Sequence, residues 1–178
     1  MEVIASFNVP EGISAAAICR ETADSLLRIS DAAADYGVRL ALEFMAVPGS
    51  SVRTFAQCAE ILEAVDRANV GMLLDTWHFC AGGSQPEELS ALRGDRIFMV
   101  HVSDCPVRAP FTAQRAESYW PGEGDAPLEE LLRSVRATGY DGPCSVEVMD
   151  PNVLALPAEE AIRRAAETMK LLLARVER

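Results

Sequence analysis

Short apolar runs alternate along the chain with longer stretches in which apolar residues recur every three or four positions. Met1–Phe7 is rich in strand-favouring residues and precedes the break Val9-Pro10-Glu11-Gly12, which predicts a strand and a turn. From Ser14 to Tyr36, the positions of Ile18, Ala23, Leu26, Leu27, Ala32 and Ala33 predict a helix with one buried face, stopped by Gly37. Val38–Phe44 predicts a second strand, and Thr54 to Ala68 a second helix with Thr54 as its N-cap. Val70–Leu74 reads as a third strand. Pro86–Leu92 reads as a short helix with proline suited to its first turn. Arg96–Val102 is the fourth predicted strand, followed by a polar loop to Asp125 and a helix over Pro127–Thr138 that ends at Gly139. Cys144–Val148 is the fifth strand and Pro157–Val176 the closing helix. Strands separated by helices need crossover connections and so pair in parallel. Parallel strands covered on both faces are expected to read as near-continuous apolar runs, as these do. No low-complexity segment or linker interrupts the rhythm, so residues 1–178 are expected to form one α/β domain.

Composition narrows the function classes. Of 178 residues, 16 are Lys or Arg and 27 are Asp or Glu, a formal charge of −11, and 49% are hydrophobic. That balance suits a globular fold. It argues against a nucleic-acid partner, because polyphosphate binding depends on clustered cations. No apolar run approaches the ~20 residues that span a bilayer, and the start of the chain lacks a basic, cleavable leader, so no membrane partner is expected and the protein reads as cytoplasmic. Five cysteines without CxxC spacing argue against both a disulfide framework and a thiolate zinc site.

The chemistry sits at the ends of the strands. Glu43 follows Arg-Leu-Ala-Leu, Asp75 follows Gly-Met-Leu-Leu, His101 follows Ile-Phe-Met-Val, and Glu147 follows Pro-Cys-Ser-Val. Each lies about one βα unit from the next, at the carboxyl end of a strand, where parallel α/β folds place their ligands. Three carboxylates packed together repel one another, and a divalent cation relieves that repulsion. Two Glu, one Asp and one His form a mainly oxygen donor set suited to Mn²⁺, Mg²⁺ or Co²⁺, with Zn²⁺ a further candidate.

Further polar residues stand near the same rim. His78 is a candidate for a substrate hydroxyl or for acid/base work, or else a loop imidazole bonded to backbone. Trp77 either walls a pocket or covers a helix. Asp104 either orients an imidazole or caps a turn. Arg108 and Arg115, in the long loop, are candidates for gripping a polyhydroxy or anionic substrate. Glu123, in the turn Pro121-Gly122-Glu123-Gly124-Asp125, either lines the rim or is solvated.

Taken in order, Leu42-Glu43-Phe44, Leu73-Leu74-Asp75-Thr76-Trp77-His78, Val100-His101-Val102-Ser103-Asp104, Pro121-Gly122-Glu123-Gly124, and Gly139-Tyr140-Asp141-Gly142-Pro143 leading to Ser145-Val146-Glu147-Val148 resemble the xylose isomerase-like TIM-barrel superfamily, the sugar phosphate isomerase/epimerase group. The resemblance covers nearly the whole chain. It matches the family's fourth to eighth strands, so a partial (β/α) TIM barrel lacking the first three βα units is expected. It further implies that Glu43, Asp75, His101 and Glu147 bind a divalent metal, Mn²⁺ foremost, and that Glu43 and Glu147 exchange a substrate proton through an enediolate. His78, Arg108, Trp77 and Glu123 would then line a site for a small sugar or polyol-derived substrate. Dehydratases of the inosose and 3-dehydroshikimate type share the phrase Leu-Asp-Thr-Trp-His, so a lyase is the alternative on the same site. A barrel short of three units also leaves sheet edges that invite another copy of the chain, so a homo-oligomer is expected, and a non-catalytic fragment that functions only in an oligomer is the remaining alternative.

Overall fold

A computed structural model of the chain describes residues 1–5 and 12–177. The elements run β1 (Glu2–Ile4), α1 (Ala15–Ala34), β2 (Leu40–Glu43), α2 (Phe55–Val65), β3 (Val70–Asp75), α3 (Thr76–Ala81), β4 (Ile97–Val102), α4 (Leu128–Ala137), β5 (Cys144–Val146), α5 (Pro151–Leu154) and α6 (Ala158–Val176). Two 3₁₀ turns, Pro86–Ala91 and Gly94–Arg96, connect α3 to β4. Residues 6–11, which carry the end of the predicted first strand and most of its turn, lie outside the described residues.

All five strands pair in parallel, in the order of the sequence. A doubly wound sheet reverses its strand order at a switch point, whereas a (β/α) barrel adds each strand beside the last. The sheet here is therefore an arc of a barrel, five strands long.

The helices lie on one face, where the sequence pattern suggested cover on both. Leu40, Leu42, Val70, Met72, Leu74, Val100 and Val102 pack with Leu26 of α1, Ile61 and Leu62 of α2, Leu131 and Val135 of α4, and Leu172 of α6. The opposite, inner face holds a smaller apolar cluster of Ala41, Leu73 and Phe98, with Met99 beside it. The strands read as continuous apolar runs because both sets of alternate residues are largely apolar, and above this small inner cluster the inner face becomes polar.

A β-bulge sets which residues share that inner face. Met72 pairs with Ile97 but Leu73 pairs with Met99, so β4 carries one extra residue at Phe98. Without it Asp75 would stand opposite Val100; with it Asp75 pairs with His101. Bulges re-aim side chains in this way beside functional sites. Room for the extra ring comes from Gly71, where a Cβ would lie 2.8 Å from the Phe98 ring and 2.7 Å from the Arg96 carbonyl oxygen.

Local signals explain most of the element ends. Thr54 caps α2 as expected, its Oγ1 accepting from the Gln57 N–H while the Gln57 side chain accepts from the Thr54 N–H. Two helices were not anticipated. Thr76–Ala81 forms α3, with Asp75 accepting from the His78 N–H at 3.1 Å as its N-cap, and Pro151–Leu154 forms α5 behind Asp150. The predicted helix at Pro86–Leu92 is a 3₁₀ turn, and β5 stops at Val146, although the Glu147 N–H still donates to the Val102 carbonyl at 3.1 Å. No described helix is long and apolar enough to cross a membrane.

Candidate metal centre

Residues at alternate positions of a strand share a face, and residues paired across parallel strands share it too. Glu43 pairs with Leu73, Asp75 with His101, and His101 with Ser145. Glu43, Asp75, His101 and, two residues beyond Ser145, Glu147 are therefore carried to the inner face at the carboxyl end of the sheet. Their ligand atoms converge: one oxygen or nitrogen from each of the four lies within 4.8 Å of every other.

Arg115 reaches into the same group. Its Nη2 donates to Asp75 Oδ2 at 3.1 Å and to Glu147 Oε2 at 2.8 Å. Arg108, the loop arginine expected at the substrate, instead pairs with Glu117 at 2.5 Å and stays half exposed. The guanidinium of Arg115 rests 5.0 Å from the ring centroid of Trp77, which is wholly buried and donates from Nε1 to the Glu117 carbonyl at 3.2 Å. Trp77 thus forms a shelf under the arginine. His78 sits inside α3 rather than in a loop, and its Nδ1 accepts from the Ala46 N–H at 3.1 Å. That bond fixes the neutral tautomer with its hydrogen on Nε2.

Two other expected site residues lie elsewhere. Asp104 makes no hydrogen bond to His101 among the described residues; its carboxylate accepts from the N–H groups of Cys105, Gly122 and Ala126 at 2.8, 3.0 and 3.0 Å. It ties the Pro121–Asp125 turn to the end of β4, and a Cβ at Gly124 would fall 2.5 Å from its Oδ1. Glu123 pairs with Arg164 of α6 at 2.8 Å in an adjoining cleft.

The electrostatics are strained in the way the donor set implies. Burial, and then the charges of Asp75 and Glu147, push the Glu43 carboxyl up to about 7. Asp75 is fully buried and is also raised, chiefly by burial, which Arg115 and the His78 N–H only partly offset. Glu147 is held low by His101, and His101 is raised by Glu147. Their closest atoms stand 3.5 Å apart, and His101 Nδ1 has no hydrogen-bond partner, so the attraction is between charges rather than through a formed bond. Burial, ahead of the charge of Arg115, pushes His78 down to about 3, so it stays neutral.

Three crowded carboxylates, an imidazole nitrogen without a partner and one bridging guanidinium leave the centre short of positive charge. The residues fit a divalent cation, with oxygen donors dominant.

The titration has a consequence for stability. A carboxyl whose folded pKa is raised stabilises the fold below its unfolded value, and that contribution is lost as pH climbs through the folded value. Without metal, Glu43 should therefore cost the fold about 1–3 kcal/mol between pH 4.5 and 7. Asp75 and His101 act in the same direction, while the opposite contribution of Glu147 falls below this window. Urea denaturation with a chelator present should show stability falling across that range, and E43Q should flatten the slope; equal slopes would refute it.

Comparison with known proteins identifies the family. The family model of the xylose isomerase-like TIM barrel matches residues 3–172. The chain is 36% identical over 178 residues to the inosose isomerase of Halalkalibacterium halodurans, covering 94% of this chain and 63% of that protein. It is 38% identical over 151 residues to the inosose isomerase of Bacillus subtilis, covering 85% of this chain and 54% of that one. A 3-dehydroshikimate dehydratase of Pseudomonas aeruginosa is 33% identical over 76% of this chain. Among solved structures, the IolI protein with a bound zinc atom superposes with a TM-score of 0.93 at 34% identity, over 98% of this chain and 63% of that one. The chain therefore spans between about half and two thirds of the length of the two inosose isomerases and the IolI protein, and 22% of the dehydratase. With an arc of in-order parallel strands, a polar centre at their carboxyl ends and a family match along nearly its whole length, this chain belongs to the xylose isomerase-like TIM-barrel family.

Proposed function

We propose that this chain carries the proton-transfer centre of a divalent-metal-dependent isomerase or epimerase acting on a small sugar or cyclic polyol ketone. The observation that carries the reading is the convergence of Glu43, Asp75, His101 and Glu147 on the inner face. A divalent ion held by these four, Mn²⁺ foremost, would supply Lewis acidity to the substrate's carbonyl and neighbouring hydroxyl oxygens.

The chain's own residues divide the remaining work. Glu147, whose Oε2 accepts from Arg115 Nη2 at 2.8 Å, is the base that takes the proton from the carbon beside the carbonyl. The C–H electrons become the C=C bond of an enediolate. Glu43 would then deliver a proton to the neighbouring carbon while the hydroxyl proton passes to the former carbonyl oxygen, and the proton taken by Glu147 would return to Glu43 to reset the pair. His78, neutral and with its hydrogen on Nε2, is placed to donate to a substrate hydroxyl. Trp77 shields the floor of the site from water. Arg115 is better placed than Arg108 to meet a developing negative charge.

The inosose isomerases among the relatives favour an unphosphorylated cyclic polyol ketone as substrate. The 33% identical dehydratase supports a second reading, in which the same enediolate expels a β-hydroxyl. Protein loaded with Mn²⁺ and incubated with an inosose in D₂O should place deuterium at the carbon beside the carbonyl, detected by NMR. A conjugated-enone absorbance would instead indicate the lyase. Neither signal, with metal bound, would overturn both.

We also propose that the chain works as a homo-oligomer. Edge strand β1 exposes Val3 at 48%, and α6 exposes Ile162 at 69% and Leu171 at 61%. Unpaired parallel edges flanked by exposed apolar side chains favour a second chain. Light scattering should give at least twice the chain mass, and Val3→Lys should lower it; a wild-type monomer at micromolar concentration would rule this out.

A further inference from the structure

The loop after β4 turns sharply at Ala109-Pro110-Phe111-Thr112. The Thr112 N–H donates to the Ala109 carbonyl at 3.2 Å, and Phe111 lies in the left-handed region with φ 62°. Proline at the second position and a positive φ at the third define a type II turn, whose third position ordinarily belongs to glycine or asparagine. A phenylalanine there is strained, and such strain persists only where the surrounding contacts impose it. Among the described residues the only other non-glycine residue with positive φ is Asp66, which caps the end of α2. The Phe111 ring is 38% exposed, so core burial does not account for an aromatic residue at a glycine position.

Two neighbouring elements supply the contacts. The Phe111 N–H donates at 2.7 Å to the carbonyl of Ala81, the last residue of α3. Pro110 fills the space beside Gly83, where a Cβ would lie 2.6 Å from Pro110 Cγ. From the start of α2, the Arg53 guanidinium lies over the Phe111 ring, 4.2 Å from its centroid, an arrangement that attracts cation to aromatic face. Arg53 is itself held there, its N–H donating to Gln57 Oε1 at 2.8 Å.

Arg115 is four residues beyond this turn. Arg108 and Glu117 pair across the base of the same excursion, while Phe111 fastens its tip. Between base and tip, Arg115 Nη2 reaches both Asp75 Oδ2 and Glu147 Oε2. A guanidinium at the end of a long, flexible side chain meets two carboxylates at once only where its backbone is fixed.

We propose that Phe111 is a positioning residue: clamped between Arg53 and the end of α3, it fixes the loop from which Arg115 reaches Asp75 and Glu147. It acts through Arg115. Its meaning for the reaction rests on the role given to Arg115 above, whereas the placement itself requires neither metal nor substrate.

The test reads Arg115 directly. In the whole chain, with isotope-labelled arginine and a chelator present, guanidinium NMR follows rotation of the Arg115 Nη groups, assigned as the signal that Arg115→Met removes. In the parent this rotation should be slow, because two carboxylates hold Nη2. Phe111→Gly suits the turn and loses the ring; Arg53→Met keeps an apolar stem and loses the charge. Each should speed the rotation by about tenfold or more. Phe111→Tyr keeps the ring and the strain and should match the parent. A merely structural turn gives a different result: Phe111→Gly would relieve strain, raise the melting temperature and leave the rotation of Arg115 unchanged. That result would overturn the proposal, as would unchanged rotation in Arg53→Met, equal loosening in Phe111→Tyr and Phe111→Gly, or an Arg115 already free in the parent. None of these measurements involves a metal or a sugar, so their failure and that of the deuterium-exchange test are distinguishable.

Discussion

Asp75→Asn is expected to lower divalent-metal affinity by at least about 100-fold while leaving the fold intact. Asp75 is fully buried at the end of β3, and its two oxygens have different tasks. Oδ1 accepts the His78 N–H that starts α3, and Oδ2 meets Arg115 and the other ligand groups. An asparagine oxygen still caps the helix, while its NH₂ group takes the place of Oδ2 and gives up the Arg115 bond, leaving that guanidinium paired with Glu147 alone. Because burial already pushes the Asp75 carboxyl toward its neutral form, the metal-free variant at pH 7 should be no less stable than the parent. Calorimetric titration with Mn²⁺ and metal analysis after dialysis test the first claim, and urea denaturation the second. Glu129→Gln, on the exposed surface of α4, serves as the control and should bind metal as the parent does. If Asp75→Asn binds Mn²⁺ with parental affinity, the four residues are not a metal centre.

That centre was legible in the sequence because each of its members ends an apolar run. A fully buried strand such as Val70–Asp75 tolerates a carboxylate only where something compensates it, and four such exceptions at similar spacing stand out against their background. The strand positions followed for the same reason, and Thr54 announced α2 by its capping chemistry. The bulge at Phe98 was not legible. Simple alternation counts Phe98, Val100 and Val102 onto one face, and only the pairing of Leu73 with Met99 shows that the count is broken. Helix α3 was missed although its signal was present: Asp75 is an N-cap residue followed by Thr76-Trp77-His78-Phe79-Cys80-Ala81, and the glycines at 82 and 83 shorten the pattern below one clear period. The choice between Arg108 and Arg115 depends on how a loop of some twenty residues folds back. That path is set by Asp104 gathering the N–H groups of Cys105, Gly122 and Ala126 and by the Asp104–Tyr119 bridge, contacts that leave little trace in linear order.

Arg115→Met should cost the metal-free chain about 2–4 kcal/mol at pH 7.5, a fall in melting temperature of roughly 5–15 °C, and saturating Mn²⁺ should recover most of it. The guanidinium contacts two carboxylates at 3.1 and 2.8 Å while its own side chain is only 21% exposed. Removing one partner of a buried ion pair leaves the other charge desolvated and uncompensated, which costs more than the pair contributes when complete. Methionine keeps much of the volume above Trp77, so packing loss stays small and the change reports mainly on charge. A divalent ion bound by the same carboxylates supplies the compensation that the arginine gave up. The metal-induced rise in melting temperature should therefore be larger in Arg115→Met than in the parent. Pairing it with Asp75→Asn completes the test: the double variant should be more stable without metal than Arg115→Met alone, because the stranded carboxylate is gone. Equal stability of parent and Arg115→Met, or an unchanged metal-induced shift, would show that the arginine neither neutralises these carboxylates nor shares their charge with a bound cation.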